Sequence, residues 1–178
     1  AITAAHGIWS PDSKRIVYAS SREGSQNLYW QAADGTGSAE RLTTGMNDQY
    51  PYAITPDGKV LYIELTAANS YNIFQVPLSG DRTPTPLLDK EFDERRPAIS
   101  PDGRWLAYQS NESGQFEIFV RPYPNVEGGR WQVSTGGGSS PLWDPSGKGI
   151  VYRQGQLIQH VAVSTSPAFA PGTPATLF

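Results

Sequence analysis

The chain has 178 residues, of which 38% are hydrophobic and 11% aromatic, enough to bury a sizeable core and unlike a disordered composition. Its net charge is −3 and its Lys and Arg residues are scattered, so no basic stripe offers a footprint for nucleic acid, and no apolar run approaches the length of a membrane span. It has no cysteine, which excludes a disulfide framework and a cysteine nucleophile but fits a cytosolic or an exported protein equally. The segment Ala1-Ile2-Thr3-Ala4-Ala5-His6 has neither a basic nor an apolar leader region, so the chain reads as soluble and already trimmed at its start.

Taken in order, the first 45 residues give short β-rich runs at 7–10, 15–20, 27–31 and 40–43, separated by Ser10-Pro11-Asp12-Ser13, the loop 21–26 and the Asp34-Gly35-Thr36-Gly37 turn. The same order returns at 52–55, 60–63, 72–76 and 85–88, with Thr55-Pro56-Asp57-Gly58 as its first turn. A third copy runs through 98–100, 105–108, 117–120 and 130–134 around Ser100-Pro101-Asp102-Gly103. The fourth runs through 142–144, 150–153, 157–161 and 175–178 around Asp144-Pro145-Ser146-Gly147.

From Ser10 to Thr55, Ser100 and Asp144 the steps are 45, 45 and 44 residues, the period of a repeat architecture. In a Pro-Asp-Gly core proline presets φ, aspartate bonds its own backbone two residues on, and glycine accepts a positive φ, so each copy marks a hairpin. The aspartates Asp12, Asp57 and Asp102 are read as structural caps. Tyr18, Tyr62, Tyr108 and Tyr152 share one repeat position, and Trp9, Ile54, Ile99 and Trp143 share another; both sets are expected in the core. Adjacent apolar pairs such as Ile16 and Val17, or Ile150 and Val151, predict sheets covered on both faces. Together these features predict an all-β fold, a β-propeller of four-stranded antiparallel blades, with blades at about 1–45, 46–91, 92–136 and 137–178 of a single array.

The residues Ile8-Trp9-Ser10-Pro11-Asp12 and Arg41-Leu42-Thr43 resemble the WD40-like or TolB-type propeller repeat. Its pattern is a tryptophan or isoleucine, Ser-Pro-Asp-Gly, an aliphatic pair, an aromatic and a closing Arg-Leu-Thr. The resemblance covers nearly the whole chain. Within it, the stretch from Ser110 to Pro124, followed by Trp131-Gln132-Val133-Ser134-Thr135 and the glycines 136–138, is similar to the C-terminal propeller of certain bacterial serine/threonine-kinase-like proteins. No Gly-rich kinase loop, His-Arg-Asp or Asp-Phe-Gly is present. The resemblance implies a ring of six or more blades, so four blades suggest either an excised piece or two copies assembling a larger ring. It also implies a periplasmic or extracytoplasmic setting.

Loops 21–26, 46–50, 66–71, 91–96, 111–115 and 136–140 belong to one rim of such a scaffold. The residues just before each innermost strand, His6, Gln49, Tyr50, Arg95, Arg96, Ser139 and Ser140, are expected around a channel mouth and form the candidate ligand site. Arg95 and Arg96 beside Asp93 and Glu94 form either a clamp for a carboxylate or phosphate or a self-neutralising surface run. The acidic group Asp89, Glu91, Asp93 and Glu94 has no cation-binding spacing, and His6 and His160 are too few for a zinc site, so neither metal nor cofactor is expected. His160 reads as a packing residue. No Gly-x-Ser-x-Gly elbow is present. The expectation is a non-catalytic binding or scaffold module for a protein, peptide or small-molecule ligand. Its alternatives are the propeller of a larger enzyme, such as a prolyl-oligopeptidase-like peptidase, and a self-assembling architectural module.

Overall fold

The computed structural model describes residues 4–66 and 70–178. Three residues at the start of the chain and residues 67–69 of the rim loop 66–71 lie outside them. The regular structure of the described chain is almost wholly antiparallel strand, and the chain divides into two compact units, Ala1–Glu91 and Phe92–Phe178.

The first unit holds two blades. β1 (Ala4–Trp9), β2 (Arg15–Ser20), β3 (Asn27–Ala32) and β4 (Glu40–Arg41) form one sheet in chain order, and β5 (Gln49–Ile54), β6 (Lys59–Leu65), β7 (Tyr71–Pro77) and β8 (Thr85–Leu88) form the next. Between them Val17, Leu28 and Leu42 of the first blade pack with Val60, Tyr62 and Val76 of the second, with Ile8 and Ile54 at the margin of the cluster. Leu61, Tyr62 and Ile63 are all buried although they point alternately to opposite faces, as expected of strands covered on both sides. Each such side chain contributes roughly 2 kcal/mol through removal from water.

The second unit repeats the plan. Its first sheet is β9 (Glu94–Ile99), β10 (Trp105–Ser110), β11 (Glu117–Pro122) and β12 (Trp131–Gln132), with a single 3-10 turn at Val126–Gly128 before the last strand. Its second is β13 (Ser139–Trp143), β14 (Gly149–Gln154) and β15 (Leu157–Ser164). Two short strands, β16 (Ala170–Pro171) and β17 (Ala175–Thr176), pair with β15 and share the outer position. The β16 pairing was not anticipated, because the proline-rich segment before Ala175 reads as a loop. Ala107, Ile118, Val120, Ile150, Tyr152 and Val161 fill the core, and Phe169 closes it against Trp105, Trp131 and Trp143. The fold is that of a β-propeller, with four antiparallel blades along the chain.

Each repeat turn joins the innermost strand of its blade to the second, and its side chains lock it. Ser10 Oγ donates to Asp12 at 2.6 Å, and Asp12 in turn accepts the Lys14 amide at 3.0 Å. Ser100 and Asp102 repeat this at 2.6 Å and 3.1 Å, with the Arg104 amide as donor. In the fourth blade the two partners exchange places. Asp144 stands where the others have a hydroxyl residue, Ser146 stands where they have aspartate, and Ser146 Oγ donates to Asp144 at 2.6 Å. Gly58, Gly103 and Gly147 take positive φ in their turns, while the first turn has Ser13 there at φ 57°.

A second recurring device ties the third strand of each of the first three blades to the crossover that leaves it. Asn27 donates to Gly45 O at 3.0 Å, Asn72 to Asp89 at 2.5 Å and to Lys90 O at 3.4 Å, and Glu117 accepts the Gly137 amide at 2.8 Å. These three residues are 45 positions apart and all are buried. In the fourth blade the same place on β15 is taken by the exposed Leu157.

Two expectations are corrected. The inner strands begin earlier than their apolar pattern indicates, so the candidate ligand residues lie inside β1, β5, β9 and β13 rather than before them. Trp9 is not core: it is 59% exposed, whereas its repeat equivalents Ile54 and Trp143 are partly buried against the cores of their units.

Candidate functional site

The inner strands broke their own alternation in the sequence because each carries a one-residue bulge, at which the apolar face switches. Counting back four residues from each turn's first residue gives His6, Pro51, Arg96 and Ser140. Three of these adopt the left-handed region, His6 at φ 53°, Arg96 at φ 52° and Ser140 at φ 56°. The pairing skips a residue there: Ala5 faces Ala19 and Ile8 faces Val17, Arg95 faces Gln109 and Ala98 faces Ala107, and Ser139 faces Arg153 and Leu142 faces Val151. The second blade has proline in that position. A proline ring fixes φ near −65°, so the bulge moves one residue on, to Tyr52 between the pairs Pro51–Tyr62 and Ala53–Leu61.

In the first unit the bulges gather aromatic rings. His6 is exposed, and its ring lies 4.9 Å from that of Tyr50 and 5.9 Å from that of Tyr52, both tilted. Tyr71 continues the group at 6.4 Å from Tyr50. The Tyr50 hydroxyl accepts from Gln26 at 3.3 Å. Burial pushes that hydroxyl above the ordinary phenol range, and the neighbouring Asp48 carboxylate adds to the effect. Gln49 has another occupation: it is 1% exposed, accepts from Thr43 Oγ1 at 2.5 Å and donates to Glu64 at 2.7 Å. The sequence placed Gln49 at the mouth; the structure makes it an anchor of the strand.

In the second unit Arg95 and Arg96 are separated in role. The Arg95 guanidinium grips Asp93 with two bonds, at 2.7 Å and 2.5 Å, and stands 5.5 Å from the Phe116 ring. Arg96 is exposed and makes no hydrogen bond, ion pair or ring contact among the described residues. β13 packs beside β9, and there Ser140 presents its hydroxyl while its amide is held by Gln109 Oε1 at 3.1 Å. Ser139 Oγ makes a long bond to Arg153 O at 3.4 Å. Gln109 is a supporting residue that the sequence reading missed, because on β10 it reads only as the polar end of a strand. Tyr52 was missed for a related reason, since it reads as an ordinary strand aromatic until the bulge turns it toward His6, and Tyr71 was placed on the rim loop 66–71 without being singled out.

The remaining candidates resolve into local structure. Asp89 accepts from Asn72, Asp93 binds Arg95, and Glu94 is buried on β9. His160 Nε2 lies 3.8 Å from Asp144, beside the fourth turn.

Among solved structures, the chain is similar to putative TolB from Agrobacterium tumefaciens, with a TM-score of 0.80 at 20% identity over 97% of this chain and 64% of that one. It is also similar to TolB from Acinetobacter baumannii, with a TM-score of 0.74 at 19% identity over 98% of this chain and 43% of that one. A Mycobacterium tuberculosis puromycin-hydrolyzing peptidase matches with a TM-score of 0.72 at 16% identity, over 99% of this chain and 29% of that one. The chain therefore spans less than two thirds of each of these proteins. No protein-family model and no curated protein matches the sequence.

Proposed function

We propose that the chain is a non-catalytic binding module that recognises a peptide, a protein or a small ligand at the bulged end of its inner strands. The observation that carries this reading is the recurrence of a non-glycine residue in the left-handed region at one repeat position. Each such residue costs on the order of 1 kcal/mol of backbone strain, and glycine would relieve it. The residues present instead are His6, Arg96 and Ser140, all polar, two of them exposed. A rigid β scaffold that holds polar side chains at strained positions has the features of a preformed recognition surface.

Arg96 gives the most direct test. With no partner of its own it suits a carboxylate or phosphate, whereas Arg95 is committed to Asp93. Isothermal titration with acidic, neutral and basic oligopeptides and with inorganic phosphate is expected to favour the anionic probes. Arg96→Ala then weakens that binding roughly tenfold, by loss of a charge-assisted contact. Equal affinity in Arg96→Ala and the parent chain would remove the site.

A second reading makes the chain the propeller of a larger enzyme, and the likeness to the puromycin-hydrolyzing peptidase, which is more than three times as long, favours it. Sequence flanking this chain in its gene that contains a hydrolase domain supports that reading, and flanking sequence without one sinks it. The same flanking sequence tests the kinase-like parent, and a secretion leader there tests the extracytoplasmic setting that the TolB likeness suggests.

A further inference from the structure

We propose that the aromatic group at the bulged end of the first unit, formed by His6, Tyr50, Tyr52 and Tyr71 beside Asp48, is a binding site for an organic cation of the alkylated ammonium class. The inference rests on the reading that the bulged inner strands form a recognition surface, and it supplies a ligand chemistry for the first unit, where Arg96 has no part.

Three of the four rings come from the second blade, at the end of its sheet where β5 and β7 begin and β6 ends. Tyr50 and Tyr52 lie on β5, and Tyr71 opens β7 opposite Leu65. His6 reaches them from the bulge of β1, with its ring turned onto Tyr50 and Tyr52. Neighbouring rings are inclined to each other by 60°, 47° and 55°, so they do not seal one another's faces as a parallel stack would. None of the four belongs to the apolar core between the two blades, and none is fully buried. Ring area is therefore left over for a ligand.

The charge beside these rings is negative and held in place. Asp48 precedes β5; its carbonyl accepts the Leu65 amide at 3.1 Å and its Oδ1 accepts the Gln26 amide at 2.9 Å, which ties it to both blades of the unit. Its Oδ2 makes no bond, and the carboxylate meets no lysine or arginine among the described residues. After burial, this carboxylate is the largest influence holding the Tyr50 hydroxyl above the ordinary phenol range, followed by the phenols of Tyr71 and Tyr52, so the four groups share one locality. Other rings of the unit have a cation supplied by the chain: Arg15 stands 3.8 Å from the centre of the Trp30 ring and Arg22 4.6 Å from that of Tyr29. Tyr50 and His6 have none among the described residues. A cation placed within about 6 Å of a ring centre is attracted by the negative ring face, and here by Asp48 as well. An alkylated ammonium suits the group better than a metal ion, because its methyl groups match the ring faces and it needs no set of oxygen ligands. A neutral ligand would leave the Asp48 charge unanswered.

Isothermal titration of the chain with choline and with its neutral isostere 3,3-dimethylbutan-1-ol, at fixed ionic strength, separates charge from shape. Choline is expected to bind roughly fivefold or more tightly than the isostere. Tyr50→Leu keeps apolar bulk and gives up the ring face, while Asp48→Asn keeps an acceptor for the Gln26 amide and gives up the charge. Each is expected to weaken choline binding roughly threefold or more, with circular dichroism matching the parent chain. A peptide carrying trimethyllysine that binds more tightly than choline identifies a protein side chain as the source of the cation, and one that binds no more tightly identifies a free onium compound; both support the site. Choline that fails to bind, or binds no more tightly than the isostere, overturns the proposal. So does choline that binds both variants as well as the parent. If anionic probes still bind through Arg96 in that case, the binding module stands and only its cation site falls.

Discussion

A hydroxyl and a carboxylate two residues apart, with proline between them, recur as the lock on each hairpin. The carboxylates of Asp12, Asp57, Asp102 and Asp144 are all held below the usual aspartate range. For Asp12 the Ser10 hydroxyl is the main cause, followed by the Lys14 amide. For Asp57, Asp102 and Asp144 burial pushes the other way, but the bonds from Thr55, Ser100 and Ser146 together with nearby amides and cations outweigh it. A carboxyl group whose folded pKa is depressed stabilises the fold above its unfolded value, near 3.9, and that contribution is lost as pH falls through the lower folded value. The urea midpoint is therefore expected to fall as pH drops below about 4, more steeply in the parent chain than in Asp102→Ala. At neutral pH Asp102→Ala is expected to cost on the order of 1 kcal/mol, as other lost side-chain caps do. In the first turn Ser13→Gly is expected to raise stability by up to about 1 kcal/mol, because φ 57° suits glycine better than serine. The tyrosine series separates in the same way. Tyr108 OH accepts from Arg121 at 2.8 Å, whereas the buried hydroxyls of Tyr62 and Tyr152 have no partner among the described residues. Chemical melts are expected to show Tyr108→Phe losing about 1 kcal/mol and Tyr62→Phe and Tyr152→Phe near neutral.

At the scale of the strand, a buried polar residue at or next to the start of β3, β7 and β11, namely Asn27, Asn72 and Glu117, governs how a blade hands the chain on. Glu117 is the most heavily engaged of the three. It accepts from Gln115 at 2.7 Å, from the Gly137 amide at 2.8 Å and from Ser134 Oγ, which itself takes the Ile118 amide at 2.7 Å. The same hydroxyl link appears one unit earlier, where Thr43 Oγ1 takes the Leu28 amide at 2.9 Å. Removing the carboxylate leaves buried donors unmet, so Glu117→Ala is expected to cost roughly 3 kcal/mol. Glu117→Gln, which keeps one acceptor oxygen, is expected to cost less. Equal melting midpoints for Glu117→Ala and the parent chain would show that water replaces these bonds without loss.

Across the whole molecule, equivalence in the repeat does not bring equivalence in energy. Trp9 and Trp143 share a position, but only Trp143 is laid against a neighbouring strand within its unit. Trp143→Phe, which gives up the bond to Ala98 O, is expected to lower stability by about 1 kcal/mol. Trp9→Phe is expected to stay within about 0.5 kcal/mol of the parent chain, as an exposed substitution. The 45-residue step and the turn residues made four blades and their strand order legible, because hairpin chemistry and apolar pairing are local properties of a sequence. The exposure of Trp9 was not legible, since burial depends on what lies beside a strand and the repeat pattern is silent on that. The rim was half legible. Its residues were named from their place before the strands, but the bulges that split Arg95 from Arg96 and recruit Gln49 inward arise from register, which alternation alone does not encode. Proline at Pro51 was the one readable sign that the second blade departs from the others.

The exchange between Asp144 and Ser146 bears on how such a repeat drifts. The lock asks for one donor and one acceptor around proline and is indifferent to their order, so the motif has two equivalent spellings separated by two substitutions. The route between them has two midpoints: Ser-Pro-Ser keeps a neutral hydroxyl pair able to bond, while Asp-Pro-Asp sets two like charges side by side. Drift between blades is thus channelled through the hydroxyl intermediate. A blade caught with serine on both sides of its proline would be one in transit, and its turn would no longer weaken in acid.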